Sequence, residues 1–218
     1  MSVDFNLYLI TDRHATALPL PQAIRLALEG GVRAVQLREK DLPLRDLLSL
    51  AQELKAITKE FGARLFINDR VDVAGAVNAD GIHLGQKSMP VEAVRKVVGK
   101  DMLIGVSTHN REEAMAAEVG GADFITFGPI YKTPSKAKYG SPVGFDELRT
   151  VKCDISIPIF AIGGIKSGNL RQVIGAGARG VAVISAIFSA NDIKKASSKM
   201  LESIAFIEKI ICNSCSPR

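Results

Sequence analysis

Arg64-Leu65-Phe66-Ile67-Asn68-Asp69-Arg70 sets a short apolar run of strand length directly ahead of an amide, a carboxylate and a guanidinium. The same arrangement recurs in both directions from it. Toward the N-terminus, Leu7-Tyr8-Leu9-Ile10 leads into Thr11-Asp12, and Ala34-Val35 into Gln36-Leu37-Arg38-Glu39-Lys40. Toward the C-terminus, Gly81-Ile82 leads into His83-Leu84-Gly85-Gln86, Leu103-Ile104-Gly105-Val106 into Ser107-Thr108-His109, and Phe124-Ile125-Thr126-Phe127 into Gly128-Pro129. Pro158-Ile159-Phe160-Ala161 runs into Ile162-Gly163-Gly164, and Gly180-Val181-Ala182-Val183 into Ile184-Ser185. Eight strands that each end in polar groups on one side predict an α/β fold, a (β/α)8 TIM barrel with parallel strands and its chemistry at the strand C-termini.

The segments between these runs have helical length and period. Over 44–61, for example, Leu47, Leu48, Ala51, Leu54 and Ile57/Thr58 recur near every 3.6 residues. Further helices are predicted over 21–29, 71–77, 90–98, 111–119, 167–174 and 192–211. Glycines at Gly30-Gly31, Gly99, Gly120-Gly121 and Gly175 to Gly177 stand just past helix ends, where a left-handed C-cap favours glycine. A chain of 218 residues with 47% hydrophobic content is long enough for one such barrel. A single domain is expected over residues 1–211, followed by a short tail, 212–218.

The formal charge of +5 is modest and spread along the chain. It argues against a nucleic-acid surface, while favouring the approach of small polyanions. No run of about 18 apolar residues is present, and Asp4 stands where a signal peptide would carry lysines, so a cytoplasmic protein without a membrane partner is expected. Three cysteines fit a reducing compartment better than a disulfide framework. Cys212 and Cys215 form a C-x-x-C pair, but far from any βα unit that would give it a redox role.

Each polar cluster has a chemical and a structural reading. The glycines after the seventh strand and the Ile184-Ser185 backbone after the eighth flank the place where barrels of this kind hold phosphate; equally, glycines make tight turns. Arg38 and Lys40, on alternate residues, point the same way, and a guanidinium fork with an ammonium suits a diphosphate, though either could be a solvated rim residue. The long loop after the sixth strand, with Lys136, favours the binding reading. Asn68-Asp69 offers an amide oxygen and one hard carboxylate, ligands that magnesium takes alongside substrate phosphates, or else a cap for the following helix. His83 lies within a strand run and reads as structural. His109, past the fifth strand, is placed to move a proton near neutral pH.

Taken together, Tyr8 to Asp12, Gln36 to Lys40, Phe66 to Arg70, Asp80 to Gln86, Gly105 to His109, Phe127 to Ile130, Thr133-Pro134-Ser135-Lys136 and Ala161 to Ile165 resemble the thiamine phosphate synthase family, whose superfamily includes the thiazole tautomerase TenI. The resemblance spans nearly the whole chain. It implies a transferase for thiamine biosynthesis that couples 4-amino-2-methyl-5-hydroxymethylpyrimidine diphosphate with carboxythiazole ethyl phosphate, releasing pyrophosphate and CO2. It further implies that Gln36, Arg38, Lys40, Asn68, Ser107 and Lys136 bind the pyrimidine diphosphate and that Asp69 holds Mg2+. Thr133, Ser135, Gly164, Ile184 and Ser185 would bind the thiazole phosphate. Lys136 and Arg38, with Ser107 and His109, would carry catalysis, in a dissociative reaction in which pyrophosphate leaves before the thiazole attacks. Small phosphorylated molecules are thus the expected partners, and self-association is left open.

The chain departs from the family at one point. Typical synthases carry a second magnesium-binding aspartate in a Gln-x-Asp pattern, whereas this chain reads Gln86-Lys87-Ser88. Loss of that carboxylate implies weaker metal binding unless Lys87 supplies part of the charge. The alternatives are a TenI-like tautomerase that uses His109, and a non-catalytic barrel that binds thiamine intermediates. A tautomerase, which handles the thiazole phosphate alone, has no use for Arg38, Lys40, Asn68 and Lys136.

Overall fold

In a computed structural model, which describes residues 2–133 and 142–214, eight strands close into a barrel in chain order, each parallel to the next and the last paired with the first. The strands are β1 Leu7–Ile10, β2 Ala34–Leu37, β3 Arg64–Asn68, β4 Gly81–Leu84, β5 Leu103–Thr108, β6 Phe124–Phe127, β7 Ile159–Ile162 and β8 Gly180–Val183. The helices are α1 Leu20–Glu29, α2 Leu44–Glu60, α3 Val71–Ala76, α4 Val91–Val98, α5 Arg111–Val119, α6 Gly144–Asp154, α7 Leu170–Gly175, α8 Ser185–Phe188 and α9 Ile193–Ser214.

All eight expected strands are present, and several run further than their apolar residues alone mark. Gln36, Asn68, His83, Ser107 and Thr108 lie on strands rather than after them. Two helices escape the apolar periodicity, α6 and the four-residue α8. The last helix extends to Ser214, so Cys212 falls inside it instead of beyond it, and Cys215 lies outside the described residues. Among the expected C-cap glycines, Gly31, Gly99, Gly121 and Gly177 adopt positive φ. No helix among the described residues is long and apolar enough to cross a membrane.

Strand side chains alternate between two cores. Outward residues such as Leu7, Leu9, Val35, Leu65, Ile67, Ile82, Ile104, Ile125 and Val181 pack against the helices. Inward residues Phe5, Tyr8, Ile10, Ala34, Phe66, Leu103, Phe124, Phe160 and Ala182 fill the barrel. The interior is packed by pairing large against small across the register: Tyr8 faces Ala34, Phe66 faces Gly81, Phe124 faces Gly105 and Phe160 faces Gly180. A Cβ on Gly81 would lie 2.3 Å from the Phe66 ring and 2.8 Å from the Leu103 carbonyl oxygen, so that position admits only glycine unless both the ring and the neighbouring strand move.

One step further along the inward face, the residues change character. From Ala34, Phe66, Gly81, Gly105 and Phe124 the next inward positions are Gln36, Asn68, His83, Ser107 and Thr126. The period of two thus lays a polar layer directly above an aromatic floor, at the C-terminal end of the barrel. At the opposite end, Asp80 accepts from the Leu65 amide at 2.8 Å and from Lys55 at 2.6 Å, and Asp123 accepts from the Ile104 amide at 2.7 Å and from Arg95. These two carboxylates tie neighbouring strands together at the face where barrels keep stability rather than chemistry.

Candidate active site at the strand C-termini

The β2 end sorts its charges by direction. Arg38 is tied to β1 by its own amide, which donates to Thr11 Oγ1 at 2.8 Å. Glu39 turns the opposite way: it is buried and receives the Arg13 amide at 3.2 and 3.3 Å and the Arg13 guanidinium at 3.1 Å. Arg38 and Lys40 are therefore left on the other side of the strand, and the Arg38 guanidinium forms no ion pair among the described residues. Lys40 reaches Asp69 Oδ2 at 3.4 Å.

Asp69 has φ of 61°, a left-handed conformation uncommon outside glycine, asparagine and aspartate. The helix that follows has no side-chain cap, so the capping reading of Asn68-Asp69 is not what the fold uses. Instead the Asp69 carboxylate turns across to the β4 loop. Its Oδ1 accepts from the Ser88 hydroxyl and, at 3.4 Å, from the Gly85 amide; its Oδ2 accepts from Asn68 Nδ2 at 2.8 Å. Partial burial works to raise its pKa, but the Ser88 hydrogen bond, the Lys40 charge and the Gly85 and Asn68 donors outweigh that and hold the carboxyl below its ordinary value. Asn68 Oδ1 accepts from no described group, which leaves an amide oxygen beside the carboxylate.

A buried polar chain runs through the layer above the aromatic floor. Gln36 Nε2 donates to the Tyr8 hydroxyl at 3.1 Å, Tyr8 contacts His83 Nδ1 at 3.4 Å, and His83 Nε2 contacts Ser107 Oγ at 3.0 Å. Thr126 Oγ1 donates to Ser107 Oγ at 3.4 Å. Burial lowers the His83 pKa to about 3, so its ring is neutral.

His109 is held differently. Its amide and its Nδ1 both meet Glu113 Oε2, at 2.7 and 3.2 Å, and the same oxygen receives Gln86 Nε2 at 2.8 Å. Gln86 also donates to the Ser107 carbonyl at 2.9 Å, which links β4 to β5 at the rim. Glu113 was not singled out from the sequence, although Asn110-x-x-Glu113 is a capping pattern; Asn110 does cap α5, accepting from the Glu113 amide at 2.8 Å. Tyr8 and Thr126 were likewise overlooked, and counting inward positions along β1 and β6 would have found them.

Across the mouth, Gly163 and Gly164 have φ of 96° and 67°, and a Cβ on them would lie 2.6 Å from Pro129 and 2.7 Å from Tyr131. Glycine is required there by the packing of the β6 and β7 loops, whatever else the loop does. Among the described residues, no group accepts from the amides of Gly164 and Ser185. Ile184 precedes the short α8. Thr133 is described, whereas Ser135 and Lys136 lie outside the described residues. The base of their loop is closed, because the Val143 amide donates to the Pro129 carbonyl at 2.9 Å.

A closed parallel barrel with an acidic residue, unpaired guanidinium, amide and hydroxyl groups gathered at the strand C-termini has the design of a (β/α)8-barrel enzyme. The family model described as thiamine monophosphate synthase matches residues 7–187. A Moorella thermoacetica thiamine-phosphate synthase is 43% identical over 91% of this chain and 95% of its own. A Geobacter sulfurreducens protein bearing a provisional thiamine-phosphate synthase name is 56% identical over 91% of this chain and 94% of its own. The solved thiamine phosphate pyrophosphorylase of Pyrococcus furiosus superposes with a TM-score of 0.86 at 38% identity, covering 93% of this chain and 96% of that one. The chain belongs to the thiamine monophosphate synthase family.

Proposed function

We propose that this protein is a thiamine-phosphate synthase, joining 4-amino-2-methyl-5-hydroxymethylpyrimidine diphosphate to carboxythiazole ethyl phosphate with release of pyrophosphate and CO2. The observation that carries this reading is the partition at β2 to β4: Glu39 turns away to Arg13, while Arg38, Lys40, Asn68 and Asp69 remain together at the mouth. An isomerase of a single phosphate has no use for two cations and a carboxylate at one strand edge. A diphosphate leaving group does.

Arg38 would grip the terminal phosphate through its fork, and Lys40 would add a point charge. Lys136, from the loop after β6, would meet the leaving pyrophosphate from the other side. As the carbon–oxygen bond breaks, negative charge accumulates on pyrophosphate, and these fixed cations stabilise it. Gln36, Asn68 and Ser107 would hold the pyrimidine over the aromatic floor, in line for attack by the thiazole nitrogen. The amides of Gly164 and Ser185, without an acceptor among the described residues, would hold the thiazole phosphate together with Thr133 and Ser135.

Magnesium fits this donor set as a one-carboxylate ion. Asp69 is charged, Asn68 Oδ1 is available beside it, and Mg2+ habitually takes one or two carboxylates and completes its shell from phosphate and water. When bound, it would neutralise charge on the leaving diphosphate. Lys40, already at Asp69, would share that task.

The test is a coupling assay with both substrates and a magnesium titration, following thiamine phosphate and pyrophosphate together. Stoichiometric formation of the two is expected. Absence of thiamine phosphate at every magnesium concentration would refute the reading.

A further inference from the structure

The polar chain Gln36–Tyr8–His83–Ser107 has a direction that follows from counting protons. Gln36 donates an N–H to the Tyr8 oxygen, so the single tyrosine proton is free to go on, and the acceptor it meets is His83 Nδ1. A neutral imidazole that accepts at Nδ1 carries its proton on Nε2, and that nitrogen faces Ser107 Oγ at 3.0 Å. Ser107 then accepts from His83 and from Thr126. Both its lone pairs are occupied, and its own proton has no acceptor among the described residues.

The imidazole has little freedom to do otherwise. It is 2% exposed, and a Cβ on Gly105 would come within 2.6 Å of Nδ1, so glycine on β5 makes the space in which the ring lies. The Phe124 ring lies 5.9 Å from it, centroid to centroid.

We propose that Tyr8 and His83 are positioning residues that fix the hydrogen-bonding polarity of the pyrimidine site, holding Gln36 with its carbonyl outward as an acceptor and Ser107 with its proton outward as a donor. This deepens the synthase reading and rests on it. An aminopyrimidine offers the complement: an exocyclic amine that donates and ring nitrogens that accept. A pyrimidine bearing a carbonyl and ring N–H in place of the amine presents the opposite pattern to both groups. Neither Tyr8 nor His83 touches the substrate in this scheme; they act by passing a fixed orientation through the barrel from β2 to β5.

Three variants test it. Tyr8→Phe keeps the ring and removes the link. His83→Gln keeps a donor near the Nε2 position, while His83→Asn keeps an amide oxygen near Nδ1 to accept from Tyr8 and leaves Ser107 without its histidine donor. Each is examined by thermal melting and by separate KM values for the two substrates, with calorimetric titration of hydroxymethylpyrimidine phosphate as a readout free of turnover. Tyr8→Phe and His83→Asn are expected to raise the KM for the pyrimidine diphosphate about tenfold while that for the thiazole phosphate moves less than about twofold, with cooperative melting retained. His83→Gln is expected to recover most of the loss. The idea is overturned if both KM values rise together, if Gln and Asn at position 83 behave alike, or if neither KM moves. A wild-type protein that forms no thiamine phosphate and does not bind the pyrimidine phosphate overturns the synthase reading itself, and the inference with it.

Discussion

Ser88 donates its hydroxyl to Asp69 Oδ1 across the β3 and β4 loops, and so occupies with a neutral donor the position where typical relatives, by the resemblance, place a second carboxylate. The contact has a consequence for charge. A hydroxyl and a lysine ammonium, with two N–H donors, keep Asp69 ionised without a metal ion, whereas a pair of carboxylates would need one to stay ionised together.

Ser88→Asp should therefore lower the magnesium concentration for half-maximal coupling by about tenfold, because a second carboxylate supplies a hard ligand at a site that now has one. Without magnesium the variant should melt at a lower temperature than wild type, since two adjacent carboxylates repel or share a proton, and magnesium should restore the difference. A magnesium titration of activity and of melting temperature reads both effects. Unchanged dependence in the two would show that position 88 does not face the metal.

Asp69→Asn and Asp69→Ala separate charge from backbone. Asparagine tolerates left-handed φ and should preserve the fold, while turnover falls by about two orders of magnitude through loss of the carboxylate. Alanine at φ of 61° adds a backbone cost of about 1–2 kcal/mol. Equal melting temperatures for the two variants would contradict the strain assigned to this residue, and near-normal turnover in Asp69→Asn would remove it from the reaction.

Lys136→Ala should lower kcat by about 10²–10³-fold, the scale expected for losing one fixed group that stabilises developing charge. The KM for the thiazole phosphate should stay within about twofold, since Lys136 is assigned to the leaving pyrophosphate and the thiazole phosphate to other groups. Steady-state kinetics with each substrate varied in turn decides it; equal losses in kcat and thiazole-phosphate affinity would move Lys136 to the phosphate site.

The fold was legible because strand period and strand ends carry it together. Leu65, Ile67, Ile82 and Ile104 face helices while Phe66, Gly81 and Leu103 face the barrel, so apolar runs appear whichever face is read. Boundaries were less legible: Gln36, Asn68 and Ser107 are polar, and look like loop residues until the closed barrel gives them an inward side to occupy. Helix α6 begins with Gly144 and carries Asp146, Glu147 and Lys152, which blurs its apolar stripe. The partnership of Tyr8 with His83 joins residues 75 positions apart and depends on Gly105, which no local pattern reveals.

Gly81→Ala should cost about 1–3 kcal/mol, because its methyl would lie 2.3 Å from the Phe66 ring. Phe66→Leu should also destabilise on its own by shrinking a fully buried side chain. The double variant should be more stable than the two losses added together, the smaller side chain relieving the methyl's contact with the ring while its 2.8 Å approach to the Leu103 carbonyl oxygen remains. Urea unfolding of the four proteins measures this coupling, and simple additivity would mean that the two positions do not share space in the barrel.

Ser88→Ala tests the same Asp69 contact through pH. The folded Asp69 carboxyl titrates below its ordinary value, so its contribution to stability is fully present above the unfolded pKa, near 3.9, and is lost as pH falls through the lower folded pKa. Removing the hydroxyl withdraws one of the groups that depress it. At pH 6 the variant should be less stable by about 1 kcal/mol, the value for a hydrogen bond to a charged group reduced by the 34% exposure of the Asp69 side chain. Below pH 4 the gap should narrow, since protonation removes the charge that made the bond strong in the wild type. Urea midpoints of both proteins between pH 2.5 and 6.5 give the comparison. A gap that is constant across that range would mean that Ser88 stabilises the loop through packing and leaves the Asp69 charge untouched.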